Sequence, residues 1–212
     1  MIETILTGCW HIGAKGTDID NLKEIKRKYW EGRPVILMGD LIDMGIEKGM
    51  QFDQKINSDD QISELKEVVQ GLDVKSALIG NHEERIFKHT GINIFKSVFG
   101  WSQKHDIVIG SKHFYVTHGG GNAINPWTEF NKLLFFVDAD FICMGHNHFL
   151  GKMTILRGNK IVNLIRTGSF LNGARYSKDA ALPPRLNGWV TVYPEANYVE
   201  LNALYEGVVK NI

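Results

Sequence analysis

The stretch Val35–Asp43, with the sequence VILMGDLID, decides the fold of this chain. Its first four residues are all apolar, and such a continuous run is typical of a strand buried on both faces, as in a parallel sheet. The run ends at Gly39 and Asp40, so a carboxylate follows the strand directly. Open α/β sheets bind their ligands outside the carboxyl ends of the strands. The sequence therefore predicts a ligand site beside Asp40.

Four further apolar stretches run into a glycine and a polar residue in the same way. Helical patterns separate the first three of the five strands, and this βαβαβ alternation predicts a parallel sheet with right-handed crossovers. We expect the strand tips to carry one shared polar cluster. The four stretches are Thr4 to His11 (TILTGCWH), Ser76 to Glu83 (SALIGNHE), Phe114 to Gly120 (FYVTHGG) and Phe141 to His148 (FICMGHNH).

Beyond His148 the pattern changes to short β-strands with turn residues between them. We expect these late strands to be antiparallel, to close a second sheet, and to pack with the α/β part as one layered sandwich. A single domain is predicted over residues 1–212. Helices are predicted from Asp18 or Asp20 to about Tyr29, from Ser58 to Gly71, from Glu83 to His89 and around Thr128 to Val137, and late strands at Lys160–Ile165, Trp189–Tyr193 and Tyr198–Leu204.

The composition sets limits on the class of protein. Lys plus Arg and Asp plus Glu number 24 each, so bulk charge argues neither for nor against a polyanionic partner. The two cysteines, Cys9 and Cys143, cannot build a disulfide framework, which favours a reducing compartment. No apolar run approaches the roughly 18 residues of a membrane span, and the N-terminus lacks the pattern of a signal peptide. We therefore expect a cytoplasmic protein with no membrane partner.

Histidines are concentrated at the predicted strand tips. A single histidine is more often structural than a ligand, but several at one edge of a sheet, beside carboxylates, indicate a metal site. Imidazole and carboxylate ligands suit zinc, iron and manganese, and a carboxylate can bridge two ions. Two ions about 3.5–4 Å apart are the usual clamp for phosphoryl transfer. The residues concerned are His11, His82, His118, His146 and His148, together with Asp40, Asp43 and Asn81.

In this order the motifs resemble those of the calcineurin-like metallophosphoesterases. That family has D-x-H, GDxxD, GNH[DE], a histidine after a strand, and GHxH. The resemblance runs from residue 5 to about residue 170 and implies a four-layer β-sandwich flanked by helices, with a mixed central sheet and antiparallel C-terminal strands. The chain supplies residues 9–11 (CWH), 39–43 (GDLID), 80–83 (GNHE), His118, 145–148 (GHNH) and a Gly-Ser turn at 168–169.

The resemblance also implies two divalent transition metal ions, manganese, zinc or iron, and a role for each motif residue. Asp40 would bridge the ions together with a hydroxide that attacks phosphorus in line. The implied catalytic residues are Asp40 and His82, with His82 protonating the leaving group or stabilising the phosphoryl oxygens, and Asn81 and His82 contacting the substrate. One ion would be held by Cys9, His11, Asp40 and His148, and the other by Asp40, Asn81, His118 and His146.

One motif residue departs from the family pattern, because Cys9 stands where the family has aspartate. A thiolate binds zinc at about 2.3 Å, and it is a softer ligand than a carboxylate. The alternative is that Cys9 is a small buried residue and that the first metal site is weak or empty. Asp43 and Glu83 are not expected ligands. Asp43 either orients His82 or caps its own loop.

Arginines after the last motif are candidates for contact with phosphate, because a guanidinium group binds it bidentately. Arg166, Arg175 and Arg185 are in this region, and Arg175 is the best candidate for substrate binding. An arginine exposed to solvent is the alternative for each.

The predicted function is metal-dependent hydrolysis of a phosphomonoester or phosphodiester in a nucleotide or other small phosphorylated substrate. The GNHE and HGG sequences around Glu83 and His118 resemble the serine/threonine protein phosphatases, which are the alternative, whereas GHxH resembles the general branch. A DNA nuclease is less favoured because the chain has no basic stripe or added domain. A binding module that has lost catalysis is a further alternative, and the retained ligand residues speak against it.

Overall fold

The computed structural model describes residues 2–46, 50–100, 103–121, 125–172, 187–205 and 208–212. Besides helices and strands it has a π-helical turn at Lys26–Trp30 and 3₁₀ turns at Met50–Asp53 and Pro194–Ala196. The helices are α1 (Ile19–Ile25), α2 (Ser58–Val69), α3 (Asn81–Thr90), α4 (Ile94–Phe99) and α5 (Phe130–Phe136). The strands are β1 (Thr4–Thr7), β2 (Pro34–Leu37), β3 (Asp73–Ala77), β4 (Asp106–Ile109), β5 (Lys112–Thr117), β6 (Phe141–Met144), β7 (Leu150–Arg157), β8 (Lys160–Thr167), β9 (Asn187–Tyr193), β10 (Tyr198–Tyr205) and β11 (Val208–Asn211).

The strands form two mixed sheets. The first has the order β11-β10-β9-β1-β2-β3, with β1, β2 and β3 parallel as predicted. The second has the order β4-β5-β6-β8-β7, with β5, β6 and β8 parallel. The late strands are antiparallel to one another as expected, with β9 paired to β10 and β10 to β11, but the expectation that they together close the second sheet is wrong. Strand β9 instead pairs antiparallel with β1 and extends the first sheet, while β8 joins the second sheet beside β6.

Apolar side chains separate four layers. Helices α1 to α4 cover the outer face of the first sheet, where Leu22 and Val35 belong to one core cluster. A second cluster, which includes Ile36 and Phe114, lies between the two sheets. Helix α5 covers the outer face of the second sheet through Phe130, which is fully buried. The predicted four-layer α/β sandwich is confirmed. None of the described helices is both long and apolar enough to cross a bilayer.

The loop after β1 is fixed by tryptophan packing. The indole of Trp10 donates to Oγ1 of Thr7 at 2.9 Å and stacks on Trp30 with ring centroids 5.7 Å apart. Trp30 ends the π-helical turn that follows α1, and Asp18 caps the start of α1, as the sequence predicts, by accepting the Asn21 amide at 3.1 Å. The helix layer therefore holds the tip of β1 in place.

Helix α3 begins at Asn81, earlier than the predicted start at Glu83. The reason is that the Glu83 carboxylate accepts the Gly80 amide at 2.8 Å and so caps the first turn. Asn81 and His82 therefore lie in the first helical turn. This places the positive end of the helix dipole at the edge of the sheet, where an anion is stabilised.

Candidate metal centre

Five residues at the strand tips have left-handed backbone conformations, which non-glycine residues seldom adopt. Each such residue costs on the order of 1–3 kcal/mol, and strain of this kind is concentrated at functional sites. Here the strain turns side chains from several loops towards one point. The residues are Cys9 (φ 48°), His11 (φ 48°), Asp40 (φ 51°), His146 (φ 67°) and His148 (φ 59°).

Two glycines allow the loops to approach one another closely. A Cβ at Gly80 would lie 2.1 Å from Oδ1 of Asp40, and a Cβ at Gly39 would lie 2.8 Å from Nδ1 of His118. Gly39 also has φ +85°, a conformation that strains any side chain. The glycines of the GD and GN motifs therefore bring the tips of β2, β3 and β5 together.

The first donor group combines Cys9, His11 and His148, whose candidate ligand atoms lie within 4.8 Å of one another. The Nε2 atoms of His11 and His148 are 3.0 Å apart. Nδ1 of His11 is 3.1 Å from the carboxylate of Asp43, which can only accept, so this nitrogen carries the proton and Nε2 presents a lone pair. A proton on Nε2 of His148 can fill this contact, and a metal ion can replace that proton. The group therefore has the donor atoms that a metal ion would need.

The second donor group combines Cys9, Asp40 and His118, again within 4.8 Å. Nδ1 of His118 donates to the carbonyl of Met38 at 2.6 Å, so Nε2 faces Oδ2 of Asp40 at 3.1 Å. Burial disfavours the charged forms of both side chains, but the attraction between the imidazolium and the carboxylate is the larger effect. It raises the pKa of His118 and holds the pKa of Asp40 below its ordinary value. A proton occupies this contact without metal, and a metal ion can replace it.

Asn81 and His146 extend the second group. Oδ1 of Asn81 lies 2.9 Å from Nδ1 of His146 and 3.2 Å from Nε2 of His118. Burial, followed by repulsion from His118, lowers the pKa of His146. A neutral imidazole is the form that binds a metal, so this environment favours the ligand form of His146.

Asp43 contacts two histidines. Its carboxylate lies 3.1 Å from Nδ1 of His11 and 3.3 Å from Nδ1 of His82, while its backbone carbonyl lies 2.9 Å from the same His82 nitrogen. Gln54 donates to the other carboxylate oxygen at 2.6 Å. Of the two interpretations of Asp43, these contacts favour the one in which it orients His82. They also form a third donor group, of His11, Asp43 and His82, that the sequence did not predict.

Glu83 holds the site together in a way that sequence reasoning missed. Its buried carboxylate accepts the backbone amides of Gly80, Asp40, Leu41 and Ile42 at 2.7–3.2 Å. Burial, and then the charge of Asp40, raise the pKa of Glu83. The capping-box spacing from Gly80 to Glu83 was the available signal for the first of these contacts, but nothing in the sequence shows the other three.

Arg166 is buried and does not face the site as a phosphate ligand would. Its guanidinium donates to the carbonyl of Gly145 at 3.0 Å, to the carbonyl of Pro126 at 2.8 Å and to the carboxylate of Glu129. It therefore supports the loop that carries His146. The other two arginines proposed for phosphate contact, Arg175 and Arg185, lie outside the described residues.

Cys9 lies within the cluster and is fully buried. Its sulfur accepts the backbone amide of His146 at 3.3 Å. Burial, and then the charge of Asp40, raise the pKa of the thiol well above its ordinary value. The thiol is therefore protonated unless a cation is adjacent, and a metal ion would favour the thiolate. With imidazole nitrogens and carboxylate oxygens around it, this donor set fits zinc or iron better than manganese.

Comparison of the sequence with family models and with curated proteins found no match. Solved structures do match the fold. Vps29 from Entamoeba histolytica in complex with Zn²⁺ has a TM-score of 0.59 at 16% identity, over 100% of this chain and 97% of that chain. Vacuolar Protein Sorting 29 from Cryptosporidium parvum has a TM-score of 0.58 at 17% identity, over 100% and 95%. An archaeal phosphodiesterase has a TM-score of 0.54 at 14% identity, over 96% and 100%.

Proposed function

We propose that this chain, which has the calcineurin-like metallophosphoesterase fold, is a metal-dependent hydrolase of phosphoesters. The observation that carries the proposal is the convergence of two donor groups, Cys9 with His11 and His148, and Cys9 with Asp40 and His118, at one edge of the two sheets. The fold alone does not decide activity, because one fold hosts several functions. The donor groups and the residues around them carry the argument.

The residues divide into ligands and a proton donor. Divalent ions at this site, when bound, would activate water and offset the negative charge of the phosphoryl oxygens. The Zn²⁺ named for the Entamoeba Vps29 supports zinc as one of them. The residues proposed to hold the ions are Cys9, His11 and His148 for one, and Asp40, Asn81, His118 and His146 for the other.

His82 is proposed to move the proton. Its Nδ1 donates to the carbonyl of Asp43 at 2.9 Å, which fixes the orientation of the ring and leaves Nε2 as the nitrogen that exchanges a proton. Because His82 lies in the first turn of α3, a phosphoryl group beside it would also meet the positive end of that helix. A proton given from Nε2 to the leaving oxygen would complete the hydrolysis.

The substrate class is proposed from the similar solved structures. The chain carries equal numbers of acidic and basic residues, so its net charge argues neither for nor against a polyanionic substrate. A small phosphorylated molecule or nucleotide is the proposed substrate, and the similarity to an archaeal phosphodiesterase supports the diester form. A phosphoserine or phosphothreonine peptide is the alternative.

A second candidate is an interaction module that uses the same fold without catalysis. The similarity to Vps29, a protein named for vacuolar sorting, favours it. The contacts that orient His82 favour the enzyme, because an interaction module does not need a fixed proton donor.

The experiment is hydrolysis of a chromogenic phosphomonoester, a chromogenic phosphodiester and a phosphopeptide by protein that has been stripped of metal and reloaded with zinc, iron(II) or manganese. We expect turnover to disappear when the metal is stripped and to return when zinc or iron is added back. Asp40→Ala and Asn81→Ala should lose activity together with bound metal, while His89→Ala, an exposed histidine outside the cluster, serves as the matched control. Undiminished turnover in the stripped protein overturns the proposal. Metal binding without hydrolysis of any substrate selects the interaction module.

A further inference from the structure

The two donor groups of the site have one residue in common. Cys9 belongs to the group with His11 and His148 and also to the group with Asp40 and His118. In each group the candidate ligand atoms lie within 4.8 Å of one another. The sulfur is therefore close enough to the other donor atoms of both groups to serve either proposed ion.

The backbone of Cys9 holds the sulfur at this point. Its amide donates to the carbonyl of Gly39 at 2.8 Å, and its carbonyl accepts the amide of Phe170 at 3.0 Å and the hydroxyl of Ser169 at 2.9 Å. The residue is fully buried and has φ 48°. Loops on both sides thus fix a strained conformation that directs the side chain into the cluster.

Asp40, the bridging ligand implied by the family resemblance, is placed differently. Its Oδ1 accepts the backbone amide of His82 at 2.9 Å, and its Oδ2 lies 3.1 Å from Nε2 of His118. Oδ2 is thus engaged with the second group, and Oδ1 with the first turn of α3. Asp40 is absent from the donor group of His11 and His148 among the described residues.

We infer that the sulfur of Cys9 is a ligand shared by both ions and bridges them as a thiolate. This inference rests on the proposed metal centre and deepens it. A thiolate sulfur has enough lone pairs to bind two ions at once, whereas a terminal cysteine would give one ion a soft ligand and leave the other with nitrogen and oxygen donors only. A shared sulfur makes both positions select zinc, iron or cadmium over manganese.

The test is ¹¹³Cd NMR of the stripped protein loaded with two equivalents of cadmium, because the cadmium chemical shift moves downfield when a thiolate is bound. We expect two resonances that both lie downfield in the wild-type protein and both move upfield in Cys9→Ser. Cys143→Ala is the matched control, since Cys143 is also a buried free cysteine but lies within β6 in the core between the sheets. Its resonances should match those of the wild type.

A result in which only one resonance responds to Cys9→Ser makes Cys9 a terminal ligand and overturns the inference, as does a result in which neither responds. A second measurement covers the case in which Cys9→Ser does not fold. In wild-type protein titrated with cobalt(II), the sulfur-to-cobalt charge-transfer absorption should change with the first equivalent and again with the second. No further change in the band while the second ion binds overturns the inference.

These outcomes separate the inference from the proposed function. If both resonances respond but the protein hydrolyses none of the substrates, the bridging role of Cys9 is supported and the proposed enzymatic activity is overturned. If the protein hydrolyses a substrate but one resonance does not respond, the enzymatic activity is supported and the bridging role is overturned. Failure to bind cadmium or cobalt at all overturns both.

Discussion

The carboxylate of Glu83 accepts the backbone amide of Asp40 at 3.0 Å, across 43 positions of sequence. The same side chain accepts the amides of Leu41 and Ile42, so one carboxylate at the start of α3 fixes the whole turn after β2. Asp40 depends on this turn for its strained conformation. Glu83 therefore controls the geometry of a proposed metal ligand without contacting the metal.

Replacing this carboxylate should weaken both folding and metal binding. Glu83→Gln retains one acceptor oxygen and sets an amide N–H₂ against backbone N–H groups, which leaves buried donors unpaired at a cost of about 1–3 kcal/mol. We expect the free energy of unfolding, measured with urea, to fall by that amount. Metal affinity should fall about 10–100-fold, as for other groups that orient ligands. Glu84→Gln, at an exposed neighbour that pairs with Lys88, should change stability by less than about 0.5 kcal/mol. An unchanged unfolding curve for Glu83→Gln would remove this role.

Arg166 should control the loop that carries His146 and His148. Arg166→Lys keeps the charge but cannot reach the carbonyls of Gly145 and Pro126 and the carboxylate of Glu129 at the same time. We expect zinc affinity, measured by competition with a chromogenic chelator, to fall about 10–100-fold. Arg157→Lys, at an exposed arginine on β7, is the control and should bind zinc normally. Equal zinc affinity in the two variants would show that Arg166 stabilises the fold but does not position the metal ligands.

His82 should affect turnover without affecting bound metal. General acid catalysis contributes roughly 10²–10⁴-fold, so His82→Ala should lower kcat by about that factor on an alkyl phosphate. The loss should be smaller on a nitrophenyl phosphate, whose leaving group needs no proton. Metal content is read by elemental analysis of the same samples. Loss of metal would make His82 a ligand, and equal losses on both substrates would remove its role as an acid.

Cys9 should set the choice of metal. Cys9→Asp replaces a soft sulfur by hard oxygens, which suit manganese better. We expect the ratio of manganese-dependent to zinc-dependent turnover in reloaded protein to rise in Cys9→Asp. The same ratio should stay at the wild-type value in the control Cys143→Asn. If the ratio is the same in wild type and Cys9→Asp, the thiol has no part in metal selection.

The predicted elements that hold in the structure are those with a strong local signal. The apolar run before Gly39 fixes β2, and glycine with a polar residue marks each strand tip. The sequence does not predict the position of β8, because the apolar pattern of a strand is the same whether its neighbour is parallel or antiparallel. Only tertiary packing places β8 beside β6. The roles of Glu83 and Arg166 were missed for a related reason. Most of their partners are backbone groups, and since almost every residue carries the same amide and carbonyl, the sequence does not indicate which of them will be bound.

The proposed ligands come from both sheets, and this division links metal supply to folding. Cys9 and Asp40 follow strands of the first sheet, while His118 and His146 follow strands of the second. An ion bound between them would be released whenever the sheets separate, so its binding free energy adds to the free energy of unfolding. At a free ion concentration 100 times the Kd this amounts to about 2.7 kcal/mol per site. Scarcity of metal would thus increase the unfolded fraction available to proteases, and the abundance of the chain would follow the free metal concentration as well as its rate of synthesis.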